Sequence, residues 1–356
     1  MNRTTQIAVP GLVRIKPGAL ARLGVYLRRA GHMRVLVLAA GGLPEAIRAG
    51  VRAGLDDEGV AVADWLEVAD NSFEAATAIF ADPPRKLTAV VGLGGGKALD
   101  MAKYLAFLAR LPYYAAPTSL SNDGFCSPQS SLTIAGRRRS LAAALPQGVV
   151  VDVDVCLAAP RILWLSGVGD LVSKLSAVHD WKLAFHARGE PVDDLAALLS
   201  DATVRQFLAR PEFDAQGMTQ LGTALMLNGI AMEICGSSRP ASGSEHLISH
   251  ALDAHSGRPR LHGLQVGVAT YLMCRLQGAQ HPWQAEAADS VDALFRATGF
   301  WDAVRADPFS RAEWLEAIRL APSIKEDFYT VLSGRDCLPE AAALMDHDPA
   351  LAGCFA

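Results

Sequence analysis

The densest cluster of reactive side chains lies in GSSRPASGSEHLISHALDAHSG (236–257), where Arg239, Glu245, His246 and His250 sit among small and apolar residues. Ser242 followed three residues later by Glu245 has the capping-box pattern, which predicts a helix starting near Gly243. Leu247, Ile248, Ala251 and Leu252 recur at helical spacing, and Ser256-Gly257 with Pro259 supplies the stop. On that helix His246 and His250, four residues apart, share one face in adjacent turns. Two imidazoles so placed can hold one divalent cation together. Alternatively one holds the cation while the other meets a substrate, or both pack in a core with their N–H groups on carbonyls.

A second constellation is VVGLGGGKALDMAK, with Gly92, Gly94, Gly95 and Gly96 at the end of an apolar run and the opening of a helical one. Free amides and the helix dipole at such a junction favour a phosphate, and glycines let it approach the backbone. The run is not G-x-G-x-x-G, since Lys97 holds the last glycine's place, nor a Walker loop. A tight turn without ligand would use similar residues. PTSLSNDGFCSP (117–128) follows the next strand-like run and offers Thr118, Ser121, Ser127 and the carboxylate of Asp123, at the sheet edge where α/β domains bind ligands. Two more pieces carry ionisable groups. Asp170 in SGVGDLVSKLSAVHDW reads as a helix-start residue or as a metal ligand, and His262 stands just ahead of a helix containing Gly263 and Gly267. Spacing alone does not join these pieces.

The elements that must position them follow from periodicity. RVLVLAA (34–40), LTAVVGLG (87–94) and YYAAP (113–117) read as strands, separated by helical runs around 44–57 and 97–110. That rhythm predicts a parallel sheet covered by helices. Gly136-Arg137 suggests a hairpin leading into one more strand, and the arginine triplet 137–139 reads as its solvated tip. After about Ala158 helical periods dominate. We therefore expect an α/β dinucleotide-binding domain over residues 1–157, with a Rossmann-like parallel sheet, and an all-helical metal- and substrate-binding domain over 158–356.

Composition restricts the function classes. The 356 residues are 51% hydrophobic and 20% charged, ordinary for a globular chain with large cores. A net charge of -4 carries no general attraction for nucleic acid or anionic membrane. Cys126, Cys156, Cys235, Cys274, Cys337 and Cys354 form no C-x-x-C pair, as expected of reduced thiols in a cytosol. MNRTTQIAVPGLVRIK has no apolar h-region and no run is apolar enough to span a bilayer, so a cytoplasmic location is expected.

Taken in order and separation, GLGGGKALDMAK, PTSLSNDGFCSP, GVGDLVSKLSAVHDW, SSRPASGSEHLISHALD, HGLQVGVA and DFYTVL resemble the sn-glycerol-1-phosphate dehydrogenase family. That family is a branch of the iron-containing-type, metal-dependent alcohol dehydrogenases, related to glycerol dehydrogenase and 3-dehydroquinate synthase. The resemblance covers nearly the whole chain and implies the dehydroquinate synthase-like fold. It places Gly94, Gly95, Gly96, Lys97 and Asp100 at the pyrophosphate of NAD or NADP, and Thr118, Ser121 and Ser127 along the dinucleotide. It sets Asp123 and His250 beside the substrate. Asp170, His246 and His262 become ligands of one divalent metal, usually zinc, with nickel or iron in some relatives. The implied reaction is reduction of dihydroxyacetone phosphate to sn-glycerol 1-phosphate, a step of phospholipid biosynthesis, by a homo-oligomer. Glutamate stands at the Asp170 position in the cyclase group. A glycerol or polyol dehydrogenase and a non-catalytic dinucleotide-binding protein remain as alternatives. Gly41-Gly42-Leu43, after the first strand read, lacks the acid that grips a ribose 2′-hydroxyl, leaving NAD against NADP open. Arg239, Lys174 and Lys325 are candidates for a substrate phosphate, and Lys325-Glu326 stands where a more arginine-rich approach is expected.

Overall fold

Strands made almost wholly of apolar residues lie at the middle of a parallel sheet, because such a strand is covered by helices on both faces. In the computed structural model, β2 (Arg34–Ala40), β4 (Ala89–Gly94), β5 (Tyr113–Pro117) and β8 (Gly148–Asp152) are buried almost throughout. β1 (Leu12–Lys16) and β3 (Ala61–Val68) complete the sheet at its edges, in the order β1-β8-β5-β4-β2-β3, every pairing parallel. The edge strands escape the sequence reading because Arg14, Lys16, Asp64 and Glu67 interrupt their apolar pattern, as suits strands with one open side. β6 (Gln129–Ile134) and β7 (Arg137–Ala142) form the antiparallel hairpin expected at Gly136. The arginine triplet on β7 is exposed, with Arg138 Nε donating to Ser131 Oγ at 2.5 Å.

The structure describes residues 7–279, 281–325 and 327–356; Glu326 and the first six residues of the N-terminal stretch lie outside them. Two compact units result: residues 1–160 with 214–233, and residues 161–213 with 234–356. The sheet belongs to the first, and the described part of the second is helical apart from one isolated bridge between Phe309 and Phe355. Residues 214–233, expected with the helical half, pack instead with the sheet unit. Small residues allow this: a Cβ on Gly229 would stand 1.9 Å from the Cys126 carbonyl oxygen, and one on Gly222 3.1 Å from Leu120.

Glycine also sets the helical unit's geometry. The helix Arg161–Val172 lies against His262–Gly278, which is buried along most of its length. A Cβ on Gly263 would come within 1.8 Å of the Ser166 carbonyl oxygen, and one on Gly169 within 2.0 Å of the Gly263 carbonyl oxygen. These backbones touch, and Asp170 and His262 are the residues next to the contact. Asp170 is not at a helix start, as one sequence reading had it. It lies in the last turn of Arg161–Val172, and Lys174 opens the following helix, Lys174–Arg188. The capping box also needs correction. The helix Ser244–His255 has Gly243 at its N-cap with no side-chain cap bond, and Ser242 plays no part. Glu245 does reach back, accepting from Gly243 N at 2.6 Å, while the Ser244 hydroxyl donates to Asp180 at 2.5 Å.

Candidate metal centre and dinucleotide loop

In the helical unit three helices bring Asp170, His246 and His262 together, with one potential ligand atom from each within 4.8 Å of the others. His246 Nε2 is 3.5 Å and His262 Nε2 3.7 Å from Asp170 Oδ1. Ligand bonds of about 2.1 Å at tetrahedral angles put two donors on one ion about 3.4 Å apart. The observed spacings fit a shared cation and are long for direct hydrogen bonds.

The second ring nitrogens explain why both Nε2 atoms point inward. His246 Nδ1 meets Glu245 Oε1 at 2.8 Å, and because an ionised carboxylate only accepts, Nδ1 keeps a proton and Nε2, facing Asp170, is the nitrogen whose proton a metal displaces. His262 Nδ1 meets Ser249 Oγ at 3.1 Å, and that hydroxyl also accepts from Gln265 Nε2 at 2.9 Å. Partners of this kind orient metal-binding imidazoles; the carboxylate also selects which nitrogen of His246 keeps its proton, while the hydroxyl, able to donate or accept, fixes the direction of the His262 ring. Neither Ser249 nor Gln265 was singled out from sequence. The available signal was helical spacing, since Ser249 follows His246 by three residues and Gln265 follows His262 by three, each on its ligand's face.

Behind the ligands the charges are buried and interlocked. Lys174 Nζ donates to the Asp170 carbonyl oxygen at 2.9 Å and stands 3.6 Å from Asp170 Oδ2. Burial opposes ionisation of Asp170, but Lys174 and the two histidines outweigh it and hold the carboxyl far below the usual range. Burial likewise opposes charging His246, yet Asp170 and Glu245 raise it to about 9, so without a metal the imidazole keeps a proton. Asp180 accepts from Ser244 N and Oγ, Gln277 Nε2 and Val331 N, and is pushed up to about 6 by its burial and then by Glu245. The His250 ring centre is 6.3 Å from that of His246 and 6.0 Å from that of His262, beside the triad. Of the three candidate phosphate cations, Arg239 is committed to both oxygens of Glu190 and to the Tyr329 carbonyl, and Lys174 lies under Asp170. Lys325 Nζ reaches Ser238 Oγ at 3.3 Å and lies over the Phe328 ring.

In the sheet unit β4 runs into the helix Gly96–Ala109, whose N-cap Gly95 makes no side-chain cap bond, so its first amides remain for an incoming group. Gly94 has φ +126°, and a Cβ there would stand 2.4 Å from Ala40 Cβ, so this position needs glycine. Added Cβ atoms on Gly95 and Gly96 meet nothing within 4 Å, which leaves room for an anion against the backbone. Lys97 is exposed at this opening, and Asp100 is buried with Oδ1 3.3 Å from Lys103 Nζ. Lys103 Nζ also donates to the Gly124 carbonyl at 2.6 Å, and Thr118 N donates to the Gly94 carbonyl at 3.1 Å. These bonds fix the loop carrying Ser121, Asp123 and Ser127 beside the glycine turn. Asn122 Oδ1 adds a turn bond from Gly124 N at 2.9 Å.

Known proteins share this architecture. A family model described as iron-containing alcohol dehydrogenase matches residues 14–160. The crystal structure of glycerol dehydrogenase from Schizosaccharomyces pombe covers 99% of this chain and 92% of its own, with a TM-score of 0.75 at 17% identity. That of an iron-containing alcohol dehydrogenase from Corynebacterium glutamicum covers 100% and 98%, with a TM-score of 0.71 at 18% identity. The fold is thus the two-unit α/β and helical fold of the iron-containing-type alcohol dehydrogenases. Closer in sequence is the glycerol-1-phosphate dehydrogenase (NAD(P)+) of Thermococcus sibiricus, 38% identical over 258 residues, 71% of each chain. The protein of that name from Metallosphaera sedula is 32% identical over 336 residues, 92% of this chain and 93% of its own. This chain belongs to the glycerol-1-phosphate dehydrogenase family.

Proposed function

We propose that this protein is an NAD(P)-dependent, metal-dependent dehydrogenase that reversibly reduces dihydroxyacetone phosphate to sn-glycerol 1-phosphate. The observation that carries the reading is the convergence of the Asp170, His246 and His262 donors, with both imidazole Nδ1 atoms already engaged, in a chain of this family. Two neutral imidazoles and one carboxylate leave a divalent ion net positive with room for a substrate oxygen, the donor set of a catalytic zinc site. When bound, such a cation supplies Lewis-acid polarisation of the ketone, and the reduced nicotinamide supplies the hydride. Asp170, His246 and His262 hold the ion; Gly94, Gly95, Gly96 and Lys97 receive the pyrophosphate, with Thr118, Ser121 and Ser127 lining the dinucleotide. Asp100 supports the helix from within through Lys103. Asp123 meets the substrate. His250, beside the triad and half-buried, carries the proton to the oxygen that gains charge, as an imidazole can do in either direction. Lys325 is the cation for the substrate phosphate, since Arg239 and Lys174 are committed elsewhere. Zinc as the native metal, a homo-oligomeric state and a cytoplasmic location belong to the same reading.

The test is oxidation of NADH and NADPH by dihydroxyacetone phosphate and, separately, by dihydroxyacetone, with and without added zinc or nickel, followed by chiral analysis of the product. The reading expects metal-dependent turnover of the phosphate ester to the sn-1 isomer. Turnover of dihydroxyacetone alone would replace it with a glycerol-type dehydrogenase, and failure to bind stoichiometric metal would remove the chemistry.

A further inference from the structure

The segment leaving β2 runs beside the glycine turn, because Gly94 is seated on Ala40. In doubly wound sheets the strand next to the phosphate loop ends in the residue that reads the cofactor's ribose: an acid for the 2′-hydroxyl, or an arginine nearby for a 2′-phosphate. Here the strand ends in Gly41-Gly42, and an added Cβ at either meets nothing within 4 Å, so the place is open. The following helix, Glu45–Asp56, and the end of β3 provide the charges. Arg48 Nε is 3.1 Å from Glu45 Oε2, and its Nη1 is 2.5 Å from Glu67 Oε1. Glu67 is paired in register with Ala39, one residue before Ala40, which places this clamp at the sheet edge where the strands end.

The clamp is soft. The Arg48 side chain is 26% exposed and its partners 76% and 52%. Ion pairs so exposed are weak, because water screens them and two long side chains must be held in place. A phosphate dianion, which takes a guanidinium fork through two parallel bonds, is a better partner than either carboxylate. Arg52, one turn further along, lies over the Trp65 ring at 4.1 Å and is engaged there.

Resting on the reading of this unit as a dinucleotide site, we infer that Arg48 reads the 2′ position of the cofactor's adenosine ribose. It receives a 2′-phosphate when one is present, while Glu45 and Glu67 compete for it and repel that phosphate. The clamp therefore sets the ratio of NADP to NAD affinity, and Gly41-Gly42 lets both enter.

Direct binding tests this without turnover: NADPH and NADH are titrated separately into the full-length protein, and fluorescence gives the two dissociation constants. Arg48→Gln is expected to weaken NADPH by about tenfold or more and to leave NADH within about twofold. Glu67→Gln is expected to do the opposite, tightening NADPH several-fold with NADH unchanged, and that gain should shrink with salt. An unchanged NADPH-to-NADH ratio in both variants, or equal weakening of both dinucleotides, overturns the inference while the dehydrogenase reading survives. Binding of neither dinucleotide by the unsubstituted protein overturns both.

Discussion

Glu245→Gln separates a metal-orienting role from a structural one, because the amide preserves every contact the carboxylate makes. Its oxygen can accept from Gly243 N and His246 Nδ1 as Oε1 now does at 2.6 and 2.8 Å. Its NH2 would face Ser176 Oγ, which stands 2.7 Å from Oε2 and can turn to accept, because that hydroxyl also reaches the Ser173 carbonyl at 3.0 Å. Only the charge is lost. That charge makes His246 a stronger donor to a cation, and removing such a partner costs about 10- to 100-fold in metal affinity. In free energy this is about 1.4 to 2.8 kcal/mol. Above pH 9, where His246 is neutral without a metal and no longer gains from the Glu245 charge, stability of the metal-free protein should not fall in parallel. Asp180 is held up near 6 by burial and then by Glu245, and loses that repulsion in the variant. Competition against a zinc indicator gives the affinity, and thermal unfolding of chelator-stripped protein gives the stability. Unchanged affinity, or an affinity loss accompanied by an equal loss of metal-free stability, would refute the orienting role.

Further predictions come from the same region and from the glycine turn. With His246 raised to about 9, above the ordinary 6.5, the metal-free protein gains stability from its imidazolium below pH 6.5 and loses it as the pH rises through 9. A metal must displace that proton, so apparent zinc affinity should climb about tenfold per pH unit between those limits and then level off, as a titration series would show. Asp170→Asn leaves the buried Lys174 ammonium without its carboxylate, and should lose both metal and about 3 kcal/mol of stability in denaturant unfolding. Gly94→Ala forces a Cβ against Ala40 at a φ of +126°, and should cost about 2 kcal/mol or more and abolish dinucleotide binding; a midpoint within error of the parent would contradict the packing.

Sequence by itself determined the central strands and the glycine turn, because both are written locally. Apolar runs such as RVLVLAA and YYAAP admit little besides a strand buried on both faces, and β2 and β5 occupy those residues. It also supplied Asp170, His246 and His262 as candidates, through residue type and family resemblance. Only the tertiary structure decided that their donor atoms meet, because the contact depends on backbone approach at Gly169 and Gly263 between helices about a hundred residues apart in the chain. It likewise moved residues 214–233 to the sheet unit and paired Asp100 with Lys103. The directions of the His246 and His262 rings were also beyond sequence, since Nε2 is directed inward only when Glu245 and Ser249 occupy Nδ1. Side-chain type is a local property, whereas the direction of a lone pair is set by what the folded neighbours already hold.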